Sequence, residues 1–441
     1  MTHGIEPLRP RSGGSERAPR PIFRARMIPL ANKPRSPLNY GYRAWNPLLR
    51  AYLSACDAAL ARLAPRRPAA SVTALAPGRR WRRILVANTA HLGDAMLAAA
   101  ALPALRAAYP EAEIGFLCGG WSRPLLEGNP LLRRVHTLDH WRLNRERAPL
   151  ARKFARYLRT RRRAIAEIRA ARYEAAIDLY SFYPNAADPL RAGAIPVRIG
   201  YSCGGFGALY THPVEFSYRR DRHIADYHAG LLRVLGVGEA EIAMMRPTIA
   251  PPSPAVARRT DAELAARGIA GEFVLMHVGC GDPRKAWPAE KWSELARRMV
   301  ARGFRVALAG RGASDRRAIS RIAAAAPGCA DCCDAFDLPE LGAAIGRARA
   351  IVAHDSVAAH IAAAAGAPAV VITPGIDPEC WRPMGENTIA IVNPAPCSPC
   401  FRGCAGMECV RELPVARVAA ALSQVLERPE SERLTPGHRR A

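Results

Sequence analysis

The stretch Ile84-Leu85-Val86-Ala87-Asn88-Thr89-Ala90-His91-Leu92-Gly93-Asp94 decides the fold class of this chain. An apolar run typical of a buried strand leads into a glycine-bearing loop, and a helix pattern follows. A second stretch has the same order: Phe273-Val274-Leu275-Met276 precedes His277-Val278-Gly279-Cys280-Gly281, and Lys285-Ala286-Trp287-Pro288 follows. Parallel α/β sheets place ligand sites in such loops, at the carboxyl ends of strands. The two stretches therefore predict two α/β domains that face a cleft.

Strand and helix patterns alternate along both halves of the chain, which predicts parallel sheets. The predicted strands cover 83–88, 113–118, 175–180, 197–201, 273–278, 304–309, 350–353 and 369–372. We expect a basic extension over residues 1–80, domains over 81–250 and 251–428, and a tail over 429–441. Residues 1–40 of the extension are rich in Pro, Arg, Gly and Ser, and a helix with an apolar stripe is predicted at about 45–65.

The positive charge of the chain is concentrated in two segments. The net charge is +26, and residues 1–80 and 142–172 contribute +12 and +10 of it. Such patches favour polyanions: nucleic acid, anionic lipid headgroups, or a phosphorylated or carboxylated acceptor. Arginines on a solvated surface are the alternative. Nucleic acid is the least favoured partner, because few aromatic residues lie among the arginines of the extension.

No apolar stretch reaches the roughly 20 residues of a membrane span, and no apolar segment of a secretory signal follows the basic N-terminus. The twelve cysteines are then expected to be reduced thiols in a cytoplasmic protein. A basic helix is predicted at about 148–171. Its apolar residues are expected to face inward: Leu150, Phe154, Leu158, Ile165 and Ile168. Its arginines are expected to face outward: Arg152, Arg156, Arg159 and Arg163.

Several polar residues stand where strand patterns run into helix patterns. Asp94 can accept a proton from a hydroxyl in the cleft, although an aspartate at this position also caps helices. Lys285 follows Gly279 and Gly281, a combination suited to a diphosphate, although a lone loop lysine is usually only solvated. The remaining candidates begin the later helices or end a strand: His277, Asp315, Asp355, Ser356 and His360.

Four cysteines lie close together in the Cys-rich segment 397–409. Cys397, Cys400, Cys404 and Cys409 have the short spacings of a structural tetrahedral site for Zn or Fe. A reduced cluster without metal, or disulfides formed on oxidation, is the alternative.

These motifs together resemble glycosyltransferase family 9, the ADP-heptose:lipopolysaccharide heptosyltransferases. The resemblance covers about residues 82–425 and depends on ordered blocks: Leu92-Gly93-Asp94, Tyr173 to Leu179, Arg198-Ile199-Gly200-Tyr201, Lys285-Ala286-Trp287-Pro288, and Asp355-Ser356 with His360 before Gly366-Ala367-Pro368. It implies a GT-B fold of two Rossmann-like domains. The acceptor is expected on the first domain and a nucleotide-sugar, expected to be ADP-linked, on the second.

The resemblance also implies roles for single residues. Asp94 would be the general base and Lys285 would stabilise the departing diphosphate, without a required catalytic metal. Gly93, His277, Gly279, Gly281, Asp315, Asp355, Ser356 and His360 would surround the donor. The arginines of 148–171 would meet a lipid-linked or glycan acceptor, and the N-terminal basic segment would hold the enzyme on an anionic inner-membrane surface.

Two positions depart from the family pattern. Ala100 stands where a proline is usual, and Val357 where a glycine is usual, which leaves the identity of the donor open. The sequence therefore favours an inverting transferase of heptose or a related sugar to a lipopolysaccharide core or similar glycan. A protein glycosyltransferase of the same family, a nucleotide-sugar epimerase and a non-catalytic binding protein are the alternatives.

Overall fold

The computed structural model describes residues 47–63, 75, 79–202, 206–398, 400, 404 and 406–428. The predictions for residues 1–40 and for the tail at 429–441 lie outside these residues. The helix expected at about 45–65 is α1 (Pro47–Leu63). None of the described helices is long and apolar enough to cross a membrane.

The first half of the chain forms a six-stranded sheet in which every pairing is parallel. Its strands are β1 (Arg83–Asn88), β2 (Glu113–Cys118), β3 (Arg134–Thr137), β4 (Ala175–Asp178), β5 (Val197–Tyr201) and β6 (His212–Val214). They pair in the order β3-β2-β1-β4-β5-β6. Five of the six residues of β1 are buried, as expected for a central strand covered by helices on both faces.

The second half forms another six-stranded parallel sheet. Its strands are β7 (Phe273–His277), β8 (Arg305–Gly310), β9 (Cys329–Cys333), β10 (Ala350–His354), β11 (Ala369–Thr373) and β12 (Thr388–Val392). They pair in the order β12-β11-β10-β7-β8-β9, which is the order of the first sheet when each half is numbered separately. In each sheet the order in which the chain adds strands reverses once. This switch point lies between β1 and β4 in the first sheet and between β7 and β10 in the second, and Rossmann-like sheets bind ligands there.

Helices connect the strands in both halves. In the first half they are α2 (Leu92–Ala99), α3 (Leu102–Ala108), α4 (Arg123–Leu126), α5 (Leu150–Ala171), α6 (Ala187–Ala192), α7 (Ile224–Leu235) and α8 (Glu239–Ile242). In the second half they are α9 (Pro254–Ala266), α10 (Ala289–Ala301), α11 (Ala313–Ala325), α12 (Leu338–Arg347), α13 (Val357–Ala365), α14 (Pro378–Trp381), α15 (Glu408–Arg411) and α16 (Val415–Leu426). This architecture is the predicted GT-B arrangement of two Rossmann-like domains.

A segment of the second half packs into the first half. Cys380 and Met384 are buried in the hydrophobic core that contains β1 and α7. The Tyr218 hydroxyl donates a hydrogen bond of 2.8 Å to the buried carboxylate of Asp377, and His223 Nε2 lies 2.9 Å from the Arg382 carbonyl oxygen. These contacts join the two domains on one side of the cleft.

The structure corrects the predicted orientation of the basic helix. Ile168 of α5 is buried, but Leu150, Phe154 and Leu158 are exposed. Only the C-terminal part of the helix packs on the sheet, through Ala164, Ile168 and Ala171, which are its buried residues. The apolar residues of its first two turns therefore face solvent beside the arginines.

Three of the buried histidines are neutral in the folded state and should make the fold sensitive to acid. Burial lowers the pKa of His223 to about 3 and the pKa of both His228 and His354 to about 4. The unfolded chain binds these protons near pH 6.5, so the folded state loses stability as the pH falls from about 6.5 towards 4. We expect the free energy of unfolding to fall by about 1.4 kcal/mol per pH unit for each histidine, measured by urea denaturation between about pH 7 and 5. A flat profile would contradict their neutral burial.

Candidate active site

Asp94 lies in the first turn of α2, directly beyond the carboxyl end of β1. The backbone N–H of His91 donates a hydrogen bond of 3.2 Å to Asp94 Oδ2, so the carboxylate does take part in capping the helix. The loop before it is fixed from behind: the buried Asn88 side chain bonds to the Asp94 carbonyl oxygen, and the Trp121 indole donates to the Ala90 carbonyl oxygen at 2.7 Å. The carboxylate is nevertheless only half-buried. Capping and proton acceptance are therefore compatible here.

A small pocket adjoins Asp94 at the switch point of the first sheet, between the ends of β1 and β4. Phe182 and His228 of the first domain and Trp381 of the second line it together with Asp94. The ring centroids of Phe182 and Trp381 are 6.1 Å apart, so the two domains meet at this pocket. A hydroxyl bound in this pocket would lie beside the Asp94 carboxylate.

The loop that carries Asp94 touches the second domain directly. A Cβ atom on Gly93 would lie 3.2 Å from the imidazole ring of His360 on α13. A second contact crosses the cleft nearby, because an added Cβ on Gly281 would lie 3.0 Å from a terminal guanidinium nitrogen of Arg145. Burial, together with the positive charge of Arg145, lowers the pKa of His91 to about 4. Arg145 thus stands between the two glycine-bearing loops.

Asp315 meets the loop that follows β7. Its Oδ2 accepts a hydrogen bond of 2.9 Å from the Arg311 backbone N–H, and an added Cβ on Gly279 would lie only 2.3 Å from this oxygen. The partly buried His277 ring also lies close to Gly279, 3.1 Å from the same Cβ position. Glycine at 279 is what lets the Asp315 carboxylate lie against this loop. The predicted residues His277, Gly279 and Asp315 are therefore neighbours.

The backbone around Lys285 is fixed by the residues before and after it. It ends a short 3₁₀ turn, Pro283–Lys285, that the Asp282 side chain caps. Next to it, the buried Trp287 donates its backbone N–H to His354 Nε2 at 2.9 Å and its indole N–H to the Leu413 carbonyl oxygen at 3.1 Å. His354 is the last residue of β10, so this bond connects the Lys285 loop to the switch point of the second sheet, between β7 and β10. Within the described part of the chain, no carboxylate forms an ion pair with Lys285.

The first turn of α13 supplies further donors to this region. Ser356 is the residue before the helix, and its hydroxyl is buried without a hydrogen-bond partner in the described structure. Asp355 is fixed next to it by a bond from its N–H to the Ile372 carbonyl oxygen. The Val357 side chain packs against the core formed by α12 and α13. The free N–H groups at a helix N-terminus favour an anion, so this turn suits a phosphate group.

The four arginines predicted to bind the acceptor differ in their surroundings. Arg156 pairs with Asp139 at 2.5 Å and with Glu146 at 3.1 Å, and Arg163 pairs with Glu167 at 2.6 Å. Arg152 and Arg159 are exposed and have no carboxylate partner among the described residues. Two of the four predicted cations are therefore already neutralised within α5 and the loop before it.

The cysteine cluster remains a prediction. The Met407 N–H donates to Cys404 Sγ at 3.2 Å and the Gly375 N–H to Cys409 Sγ at 3.3 Å, contacts that also suit metal-bound thiolates. Cys397 is exposed and Cys400 half-buried. Within the described residues, no three His, Cys, Asp or Glu side chains are arranged to hold an ion.

Sequence reasoning missed two contributors to this site. Arg145 was one of many arginines in a basic segment, and only the contact with Gly281 distinguishes it. Trp381 lies far along the chain from Asp94 and reaches the pocket through the packing of α14 on the first domain. The signal for His354 was present, because it directly follows the predicted strand 350–353 and precedes a helix pattern.

Gly279→Ala tests whether Asp315 and this loop form part of the donor site. The new methyl group would displace the Asp315 carboxylate, and we expect ADP affinity to fall by about tenfold, the effect of one hydrogen bond to a charged group. Calorimetric titration with ADP measures it. Gly346→Ala on α12 is the matched control, since an added methyl group there meets nothing within 4 Å and the residue is not one of the predicted donor-binding residues. Equal losses in both variants would contradict the assignment.

Comparisons with known proteins identify the family of this chain. Residues 161–410 match the profile of glycosyltransferase family 9 (heptosyltransferase). Lipopolysaccharide heptosyltransferase 3 of Escherichia coli is 25% identical over 309 residues, which is 67% of this chain and 85% of that protein. The match to the family profile extends from α5 through the Cys-rich segment, so it includes Lys285, Asp315 and the α13 turn.

Two solved structures have the same fold. The family 9 glycosyl transferase from Veillonella parvula superposes with a TM-score of 0.65 at 18% identity, over 79% of this chain and 97% of that one. The Escherichia coli ADP-heptose lipopolysaccharide heptosyltransferase II superposes with a TM-score of 0.60 at 21% identity, over 78% and 98%. With more than half of its length matched to the family profile, this chain belongs to glycosyltransferase family 9 and is a glycosyltransferase with a GT-B fold.

Proposed function

We propose that this enzyme transfers a heptose, or a closely related sugar, from an ADP-linked donor to a lipopolysaccharide core or similar glycan, with inversion at the anomeric carbon. The contact between Gly93 and His360 carries the proposal, because it brings the loop of Asp94 to the helix turn suited to a phosphate group. The named relatives, a lipopolysaccharide heptosyltransferase and an ADP-heptose enzyme, support the choice of sugar and nucleotide.

In this proposal Asp94 activates the acceptor. Its carboxylate takes the proton of an acceptor hydroxyl as that oxygen attacks C1 of the donor sugar. The bond between C1 and the diphosphate oxygen breaks at the same time, and its electron pair leaves with ADP. Attack from the face opposite the leaving group inverts the configuration at C1.

The second domain stabilises the leaving group. The negative charge that develops on the diphosphate would be met by the Lys285 ammonium and by the backbone N–H groups at the start of α13. The buried Ser356 hydroxyl offers one more donor. Trp287 fixes the loop to His354, so the backbone that carries Lys285 is already in place before the charge develops.

The remaining candidates would position the two substrates. Asp315 and Asp355 would accept hydrogen bonds from the hydroxyls of the ribose and the heptose. Arg145 would bind an anionic group of the acceptor beside Asp94, and Arg152 and Arg159 would extend this positive surface along α5. No catalytic metal takes part in this proposal. A Zn or Fe ion held by the four cysteines would have a structural role.

Calorimetric titration with ADP-heptose, ADP, UDP and GDP tests the donor. Selective binding of the ADP compounds is expected, whereas selectivity for UDP or GDP would contradict the proposed donor. The acceptor is tested by incubating ADP-heptose with heptose-deficient lipopolysaccharide core and detecting the extended saccharide by mass spectrometry. Transfer to a protein instead, or epimerised donor without transfer, would favour one of the alternative activities.

A further inference from the structure

Asp178 is a buried carboxylate that the proposed mechanism does not use. It is the last residue of β4, and none of its surface is exposed. In the first sheet it lies beside Ala87 of β1, the strand that leads to the Asp94 loop. Burying a carboxylate is unfavourable unless hydrogen bonds replace the water that it loses. A fully buried carboxylate at the switch point of the first sheet is therefore a candidate for a role beyond packing.

Three neutral donors surround the Asp178 carboxylate. Oδ1 accepts a hydrogen bond of 3.1 Å from the Tyr180 N–H, and Oδ2 accepts one of 2.6 Å from the Ala186 N–H. The Tyr210 hydroxyl donates to Oδ2 at 2.7 Å. Burial raises the pKa of Asp178 to about 6, although the three hydrogen bonds favour the charged form. At about pH 7.5 the side chain is therefore an ionised carboxylate, which can act only as an acceptor.

The two backbone hydrogen bonds hold both ends of one loop. Residues 179–186 connect β4 to α6, and Asp178 accepts from the second and the last of them. The buried His228 ring fixes the first, because its Nε2 lies 2.9 Å from the Leu179 carbonyl oxygen. The shape of the loop is thus fixed from the core of the domain.

The middle of this loop forms one wall of the pocket beside Asp94. Tyr180, Ser181 and Phe182 line the pocket, and the Phe182 ring lies 6.1 Å from the Trp381 ring of the second domain. An acceptor hydroxyl that approaches the Asp94 carboxylate in this pocket would pass these three residues.

Asn88 joins the loop 179–186 to the loop that carries Asp94. Its side-chain amide donates to the Asp94 carbonyl oxygen at 3.2 Å and to the Leu179 carbonyl oxygen at 3.5 Å. Its own Oδ1 accepts a hydrogen bond of 3.1 Å from the Ala90 N–H. The loop of the general base and the loop that lines the pocket therefore share one anchoring side chain.

Tyr210 reaches Asp178 because Gly200 has no side chain. Gly200 of β5 is the register partner of Asp178, and an added Cβ there would lie 2.5 Å from the Tyr210 ring. The ring lies in the space that a side chain at position 200 would fill, and Tyr210 is buried. The third hydrogen bond to the carboxylate is therefore shielded from water.

We propose that Asp178 is a positioning residue for the acceptor. Its carboxylate holds the loop 179–186 in the shape that places an acceptor hydroxyl against the Asp94 carboxylate. It acts through Phe182 and the neighbours of Phe182 in the loop, because Asp178 itself is fully buried and touches no substrate. This role rests on the proposed function, since it requires a glycan acceptor in the pocket.

Asp178→Asn tests this role with little change of shape. The NH₂ group of the amide would face the N–H of either Tyr180 or Ala186, so one end of the loop would lose its acceptor. We expect the KM for heptose-deficient core saccharide to rise by about tenfold, with a smaller fall in kcat, because a loop shift of a fraction of an ångström misplaces the acceptor. The Kd for ADP-heptose should stay unchanged. Initial rates at about pH 7.5 and calorimetric titration measure these quantities.

Hydrogen exchange followed by mass spectrometry measures the loop itself. In Asp178→Asn, exchange should become faster in residues 179–186, which lose an acceptor, and stay unchanged in β1. This measurement needs neither donor nor acceptor. Unchanged exchange in the loop would contradict the proposed hold of Asp178 on it.

Two tyrosine variants provide a milder test and its control. Tyr210→Phe removes only the third hydrogen bond, so we expect a smaller rise of the same KM and little further effect when it is combined with Asp178→Asn. Tyr173→Phe is the matched control. The Tyr173 ring also covers a strand glycine, Gly115, but its hydroxyl lies 2.8 Å from His136 Nε2 on the edge strand β3. This variant should leave the KM for the acceptor unaltered.

The outcomes separate this role from the proposed function. If the enzyme transfers the sugar and Asp178→Asn has an unchanged KM for the acceptor, Asp178 does not position the acceptor. A Kd for ADP-heptose that rises as much as this KM would also overturn the proposal, because the variant would then disturb the whole enzyme. If Asp178→Asn does not fold, equal KM values in Tyr210→Phe and Tyr173→Phe would contradict it. Absence of transfer by the unaltered protein would refute the proposed function, and this role with it.

Discussion

Asp94→Asn is expected to lower kcat by about 10²–10⁴-fold, the range of general acid–base catalysis by a positioned side chain. The amide cannot take the acceptor proton, but its oxygen can still accept the hydrogen bond from the His91 N–H that the carboxylate accepts now. The dissociation constant for ADP-heptose should stay near that of the unaltered enzyme, because in our proposal the donor is held mainly by the other domain. Initial rates of ADP release and calorimetric titration measure the two quantities.

Asp337→Asn is the matched control for Asp94. Asp337 also caps a helix, by accepting the Glu340 backbone N–H at 2.8 Å, but it lies at the start of α12. Its replacement should change stability slightly and leave kcat unaltered. If Asp94→Asn keeps its rate within tenfold, or if donor affinity and melting temperature fall together with the rate, Asp94 caps the helix and another group is the base.

Lys285→Ala is expected to reduce kcat/KM for the donor by about ten- to a hundredfold, as for the loss of a hydrogen bond between charged groups. The lysine has no acidic partner among the described residues, so its removal leaves no buried carboxylate unpaired and should not unfold the loop. Trp287 continues to fix the loop through His354 and Leu413. The affinity for ADP should fall in parallel, since the ammonium would bind the diphosphate before and after transfer.

Arg284→Ala removes one positive charge from the adjacent position. The Arg284 guanidinium is exposed and lies 2.6 Å from the Asp282 carboxylate, so its charge is already paired. We expect near-normal kinetics for this variant. A loss as large as that of Lys285→Ala would mean that the net charge of the loop matters rather than the position of Lys285.

The sequence predicted the centre of each sheet and missed its edges. The eight predicted strands are β1, β2, β4 and β5 in the first sheet and β7, β8, β10 and β11 in the second. Inner parallel strands are covered on both faces and read as continuous apolar runs. The four missed strands, β3, β6, β9 and β12, are the edge strands of the two sheets. Three of them are short or polar, as in Arg134–Thr137 and Cys329–Cys333. They therefore lack the continuous apolar run that identifies an inner strand.

The candidate site divides in the same way. The loops of Asp94 and Lys285 follow inner strands, so their place at the sheet ends could be predicted from the chain alone. The approach of Gly93 to His360 could not, because it depends on how two domains pack. Helical spacing correctly grouped Leu150, Phe154 and Leu158 on one side of α5, but spacing cannot tell whether another element covers that side. In this helix only the C-terminal part is covered.

The burial of Cys380 and Met384 in the core of the first domain affects how the chain folds during synthesis. The Cys380 thiol, for example, contacts the carbonyl oxygens of Arg219 and Arg220, which are about 160 residues earlier in the chain. The ribosome delivers the first six strands long before it delivers these two side chains. The core of the N-terminal half therefore stays incomplete until residue 384 has left the ribosome. A fragment that ends near residue 250 would leave exposed the apolar surface that Cys380 and Met384 cover, and such a surface promotes aggregation.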